Sequence, residues 1–136
     1  MKLTIVTPLA VAVAEEGIQT FSAEDASGRF GILSGHADFL TALAISVASW
    51  AGADGRRRHA AVRGGVLAVT GGSDIWLSTR EAVVGDDLAT LSDSVLARFR
   101  SDQDAARAEH IDATRLQLAA IRQIVAGLGG YRENSP

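Results

Sequence analysis

The sequence contains no cysteine, so disulfides, thiolate nucleophiles and cysteine-ligated zinc are excluded together. It also lacks any apolar run approaching the ~18 residues that a membrane-spanning helix requires. The opening stretch MKLTIVTPLAVAVAEEG starts like a secretory leader, with Lys2 ahead of small apolar residues, but Thr7 and Pro8 interrupt it and Glu15 and Glu16 close it early. No leader and no direct membrane insertion are expected. Positive charge is not in excess either. The formal net charge is -3, which leaves no global field to draw the chain to nucleic acid.

Chemical signatures are equally scarce. No serine occupies a G-x-S-x-G elbow, and Ser34 in L-S-G-H has only its sequence neighbour His36 beside it. The glycines of RGGVLAVTGGSD fit neither G-x-x-x-x-G-K-[ST] nor G-x-G-x-x-G before a helix, and read as turns and bulges. The acid pairs Glu15-Glu16, Glu24-Asp25 and Asp86-Asp87 fall at turn or cap positions. His36 and Asp38 form an H-x-D pair, but His59 falls on an expected strand and His110 at an expected helix turn, too dispersed to close a metal site. No catalytic residue, cofactor or metal is expected.

What the chain does have is enough apolar content to fold, at 47% apolar and 21% charged residues. Up to about Gly85 it reads as short strands. Leu3, Ile5 and Thr7 alternate with Lys2, Thr4 and Val6, and GIQTFSA, AISVASW, RHAAVRG, GVLAVTG and DIWLST follow between Gly, Asp and Ser punctuation. GADGRRR, Gly52 to Arg58, reads as a hairpin tip in which Asp54-Gly55 supplies positive φ angles, with Arg56 to Arg58 as its solvated flank.

Beyond Gly85 the period lengthens. Leu88, Leu91, Val95 and Phe99 recur at helical spacing, with Asp86 or Asp87 available as the cap. A second helical pattern runs from Asp112 through Leu118, Ile121 and Val125 to glycines at 127, 129 and 130, and the break falls near Glu109 to Asp112. The fold class expected is β + α: an N-terminal antiparallel β-sandwich over residues 1–85, then a C-terminal two-helix hairpin within residues 86–136, its helices spanning about 87–128.

The order of these segments resembles the epsilon subunits of bacterial F-type ATP synthases. The likeness starts at IVTP (Ile5 to Pro8), is strongest in GRFGILSGHADFLTAL (Gly28 to Leu43), and continues through AAVRGGVLAVTGGSDIWLSTREAVVGDDL (Ala60 to Leu88). Against the family pattern G-x-x-G-I-L-P-G-H-A-P-L-L-T-x-L, matches fall at Gly28, Gly31, Ile32, Leu33, Gly35, His36, Ala37, Leu40, Thr41 and Leu43.

The resemblance implies a non-catalytic central-stalk subunit that couples ATP synthesis or hydrolysis to proton or sodium transport, peripheral at the cytoplasmic face of the bacterial inner membrane. It implies that Arg29, Gly31, Ser34, Gly35, His36 and Asp38 form a contact with the gamma subunit and the membrane rotor ring. A helical hairpin that inhibits hydrolysis would offer Arg98, Arg107, Arg115 and Arg122 to acidic segments of the catalytic beta and alpha subunits.

Departures from the pattern carry their own expectations. Ser34 and Asp38 replace two prolines, which implies a less rigid loop with an added negative charge beside His36. Arg29 stands where many relatives carry an acid, which implies an inverted charge partner. The family's nucleotide motif [IL]-D-x-x-R-A falls on LATLSD at Leu88, where Ala89 replaces the acid and Ser92 the arginine. Nucleotide sensing through it is not expected, and Asp112 in IDATRL reads as a helix cap. Together the departures suggest an alternate, sodium-coupled branch. Two readings of other classes stand beside this one: a small-ligand-binding β-sandwich, and a metal-dependent sandwich enzyme acting through His36 and Asp38.

Overall fold

The structure, a computed structural model, describes residues 1–133, with side chains placed through residue 126. It comprises two compact units, Met1–Arg100 and Ser101–Pro136. The first contains β1 (Lys2–Val6), β2 (Val11–Glu15), β3 (Thr20–Asp25), β4 (Gly28–Leu33), β5 (Phe39–Ala51), β6 (Arg57–Thr70), β7 (Asp74–Ser78) and β8 (Ala82–Gly85).

Alternation explains why these segments are strands. Leu3 and Ile5 are fully buried between exposed or half-buried neighbours, and Ile75 and Leu77 are buried while Asp74, Trp76 and Ser78 face out. The strand order is β2-β1-β7-β6-β5-β3-β4, with β8 on β6. The two long strands belong to both layers of the sandwich. The end of β6 joins β7 and the start of β5, whereas the start of β6 joins β8 and the end of β5.

The passage between layers lies at Gly64 and Gly65, with φ angles of +69° and +117°. A Cβ on Gly65 would lie 2.0 Å from the Ser78 carbonyl oxygen, so only glycine lets the strand turn there. The segments RHAAVRG and GVLAVTG are therefore one bent strand. Trp50, Phe21, Leu3, Ile5, Ile32 and Leu67 fill the space between the layers.

Two expectations about the sheet need correction. The sandwich is not wholly antiparallel, because β1 and β7 pair in parallel. That register sets buried Leu3 beside Ile75 and Ile5 beside Leu77, so the apolar face of each strand stays in the core. At the β5–β6 hairpin only Gly55 has positive φ, at +78°, while Asp54 contributes its side chain, accepting a bond from the Arg56 amide at 3.0 Å.

After β8 the chain becomes helical. Asp87 caps the start, accepting from the Ala89 amide at 3.0 Å and from the Thr90 hydroxyl at 2.7 Å. A short helix, α1 (Leu88–Thr90), leads into a π-helical turn (Leu91–Val95) and then α2 (Leu96–Glu133). The i→i+5 bonding of the π turn lets Leu91 and Leu96 share a side. With Phe99 they bury against Val47 and Ala61 on the outer face of the second layer. Leu88, expected on this apolar face, is about half exposed instead.

The expected hairpin is not found. α2 continues through Glu109 to Asp112 and past Gly127, Gly129 and Gly130 to Glu133. No Gly or Pro lies between Gly85 and Gly127 to break it. Asp112 is an interior helical residue rather than a cap, and nearby Thr114 donates its hydroxyl to the His110 carbonyl at 2.9 Å, a one-turn bond that fits an unbroken helix.

Candidate functional site

The loop between β4 and β5, residues 34–38, is fastened to the turn between β6 and β7. The Gly35 amide donates to the Gly72 carbonyl at 2.8 Å, and the Gly71 amide donates to Asp38 Oδ1 at 3.0 Å. The approach is tight: a Cβ on Gly72 would lie 2.9 Å from Gly35 Cα. Asp38, expected to loosen this loop, instead ties it to its neighbour. Ser34 is exposed and makes no side-chain hydrogen bond within the described residues.

His36 is half-buried. Its amide donates to the Leu33 carbonyl at 3.1 Å, its Nδ1 lies 2.7 Å from the Ala37 carbonyl oxygen, and its ring stands edge-on to Phe39 at 5.7 Å. Phe39 in turn meets Phe30 at 5.4 Å. Local carbonyl and aromatic contacts thus orient the imidazole. Beside it, Leu33 is 61% and Leu40 71% exposed. Leu40 lies opposite Ala68, which lies opposite Trp76, 51% exposed, so apolar surface runs from the loop across three strands.

Gly31 lies within β4 opposite Ser22. Arg29 is elsewhere, at the far end of β4 from the loop. Its guanidinium donates to the Val47 carbonyl at 3.0 Å and to Ser22 Oγ at 3.1 Å, on the outer face of the second layer. There it borders a cleft of about 450 Å³ whose lining includes Ser49, Arg57, His59 and Arg100. The turn flank was therefore only partly read from sequence: Arg58 pairs with Glu15 at 3.3 Å, whereas Arg57 lines this cleft. Register was the signal needed, since only the pairing Ser22↔Ser49↔His59 puts these residues in one row.

Of the helical arginines, Arg98 donates to Glu81 Oε1 at 2.6 Å and stacks over the Phe99 ring at 5.2 Å. Arg107, Arg115 and Arg122 belong to the second unit and are exposed. No three His, Asp or Glu side chains converge as a metal site among the described residues. His36 and Asp38 are engaged with backbone groups. Nothing in the described residues favours the metal-dependent enzyme. No described helix is long and apolar enough to cross a membrane.

The fold defines the class: a two-layer β-sandwich that presents a fastened loop beside exposed apolar surface, followed by a helix after its last strand. A family model for the ATP synthase delta/epsilon chain beta-sandwich domain matches residues 1–83. The chain is 41% identical over 125 residues to the ATP synthase epsilon chain 2 of Paraburkholderia xenovorans, covering 92% of this chain and 90% of that one. It is 40% identical over 128 residues to the epsilon chain 2 of Cereibacter sphaeroides, covering 94% and 88%. The chain belongs to the ATP synthase delta/epsilon family. Its fold also matches a chain in the cryo-EM structure of the Euglena gracilis mitochondrial ATP synthase, with a TM-score of 0.57 at 22% identity, covering 60% of this chain and 51% of that one.

Proposed function

We propose that this chain is the epsilon subunit of a rotary F-type ATP synthase, a non-catalytic component of the central stalk that helps couple ATP synthesis or hydrolysis to ion transport. Identity of 41% across 92% of the chain to a protein named ATP synthase epsilon chain carries the reading. The sandwich and its fastened loop support it, because an interface loop works best when its backbone is fixed before contact.

In this reading the gamma subunit and the rotor ring meet the loop around Gly31, Ser34, Gly35, His36 and Asp38, and the apolar surface of Leu33, Leu40 and Trp76 extends the contact. The protein would sit peripherally at the cytoplasmic face of the membrane. Arg29 belongs less to this contact, since it lies at the far end of β4 from the loop. Arg98 is already paired with Glu81, so of the four helical arginines that the resemblance offers, Arg107, Arg115 and Arg122 are left for acidic segments of the catalytic subunits. Whether the enzyme moves protons or sodium depends on the ring.

Co-expression with gamma from the same genome tests the assignment. Stoichiometric copurification, weakened by Leu40→Asp, is the expected result. Failure of the intact, folded chain to bind gamma would overturn it. Hydrolysis by the reconstituted complex, compared between wild type and Arg107→Ala/Arg115→Ala/Arg122→Ala, separates the regulatory part: a faster variant supports inhibition by the helix and an unchanged rate rejects it.

A further inference from the structure

The cleft on the outer face of the second layer has no part in the proposed stalk contact, and its chemistry is one-sided. Arg29 can only donate. Its Nη2 lies 3.1 Å from Ser22 Oγ and 3.5 Å from Ser49 Oγ. Ser49 Oγ, accepting from Arg29, can give its own proton to His59 Nδ1, 2.6 Å away. In that arrangement the neutral His59 ring carries its proton on Nε2. So arranged, the chain Arg29 to Ser49 to His59 ends on a donor, and Nε2 has no hydrogen-bond partner among the described residues.

Arg57 and Arg100 add two further cations to the lining, and neither has an ion pair among the described residues. Glu24 is the acid in the lining, and Asp86 the acid whose field reaches His59. A recess of about 450 Å³ lies within the range of small-molecule sites. Guanidinium groups match the geometry of a phosphate oxyanion, and serine hydroxyls and imidazole N–H groups can complete its coordination.

We propose that this cleft binds a phosphate-class dianion, free or carried on a small molecule, through Arg57, Arg100, Arg29 and the Nε2 proton of His59. The positions of the family's nucleotide motif supply only Leu88 and Ser92 to the lining. The charged donors come from β4, β6 and α2. The site does not depend on the stalk assignment and would stand if that assignment failed.

The three histidines give the test its internal control. The ring resonances of His36, His59 and His110 are followed by NMR in the full-length protein across pH, with inorganic phosphate exchanged for chloride at constant ionic strength. A dianion beside His59 favours the imidazolium. The expected result is a saturable shift of the His59 signals and a raised titration midpoint, with His36 and His110 unmoved.

Arg57→Gln/Arg100→Gln should weaken the phosphate response about tenfold or more, since hydrogen bonds to charged groups are lost. The variant's own midpoint without phosphate, raised because a cation has gone, is the baseline for that comparison. Glycerol phosphate separates the sources: binding about tenfold tighter than inorganic phosphate assigns an organic phosphate, and equal or weaker binding assigns the free ion. A His59 response no larger than that of His110, or one unchanged in the folded double variant, overturns the proposal. So does saturation by a Glu-rich peptide with none by phosphate, which would mark the cleft as a protein contact.

Discussion

The carboxylate of Asp38 accepts a hydrogen bond from the amide of Gly71 at 3.0 Å, joining the loop before β5 to the turn after β6 across 33 positions of sequence. One side chain thereby fixes the position of a loop that otherwise depends on the single backbone bond between Gly35 and Gly72. Asp38→Ala should lower stability by about 1 kcal/mol, the usual net worth of such a bond. Its effect on gamma affinity should exceed that of Ala37→Gly, which leaves the tie intact. Paired chemical melts and binding titrations check both; equal affinities for the two variants would detach the tie from function.

Gly72 and Gly35 face each other, and their substitution should be unequal. Both have positive φ, at +69° and +86°, so alanine at either should cost about 1 kcal/mol of backbone strain. Only at Gly72 does the new Cβ also meet backbone, 2.9 Å from Gly35 Cα. Gly72→Ala should therefore destabilise by clearly more than Gly35→Ala, and it should shift the amide resonances of residues 34–38. Matching losses in urea denaturation would remove the close approach as an explanation.

Local patterns in the sequence were enough to place most strands. Alternation at Leu3 and Ile5 or Ile75 and Leu77 marks a buried face without reference to distant residues. The parallel pairing of β1 with β7 was not legible, because it depends on which edge remains open after β6 and β7 have paired. The long helix was misread for a different reason: an Asp that caps and an Asp inside an exposed helix look the same in one dimension. Arg29, Ser49, Arg57 and His59 looked unrelated because they come from separate strands, and only register assembles them. A contact loop at His36 was expected through resemblance, but Asp38's bond to Gly71 was not legible.

His59 sets a pH signature on stability. Burial first, then the fields of Arg57 and Arg29, hold its imidazole below the ordinary value of 6.5, against a smaller opposing effect of Asp86. The unfolded chain therefore takes up a proton more readily than the folded one as pH falls below about 6.5. The stability contribution is fully present above that value and declines as pH falls towards the folded-state pKa. His59→Gln should flatten this part of a urea-midpoint profile. An unaltered slope would assign the loss to other groups. Asp25 and Asp87, lowered chiefly by hydrogen bonds from the Ser27 and Thr90 side chains respectively, act in the same direction further into acid, below about 3.8.

Trp50 is almost completely buried, and its indole N–H donates to Glu15 Oε2 at 2.6 Å. The same carboxylate pairs with Arg58 at 3.3 Å, so β2 is joined to the β5–β6 hairpin through one acid. Glu15→Ala leaves the indole proton without this acceptor in the protein and should cost about 1–3 kcal/mol. Arg58→Ala removes a partly exposed ion pair and should cost under about 1 kcal/mol. Intrinsic fluorescence during unfolding ranks the two, and a larger loss for Arg58→Ala would reverse the role assigned to Glu15.

Phe99 decides how far the sandwich extends into the helical sequence. It is fully buried with Leu91 and Leu96 against Val47 and Ala61, beyond the last strand. Without these side chains, that outer face would present its apolar residues to water. Phe99→Ala should therefore destabilise the first unit by about 3–5 kcal/mol, the range for truncating a buried phenylalanine. Leu116, 73% exposed, is the contrast: Leu116→Ala should change stability by less than about 0.5 kcal/mol. Hydrogen exchange at the amides of Val47 and Ala61 gives the local readout. Faster exchange there in Phe99→Ala, with none in Leu116→Ala, makes the start of α2 part of the sandwich's core. Unchanged exchange in both would mean that this stretch of helix lies on the sheet without holding it together.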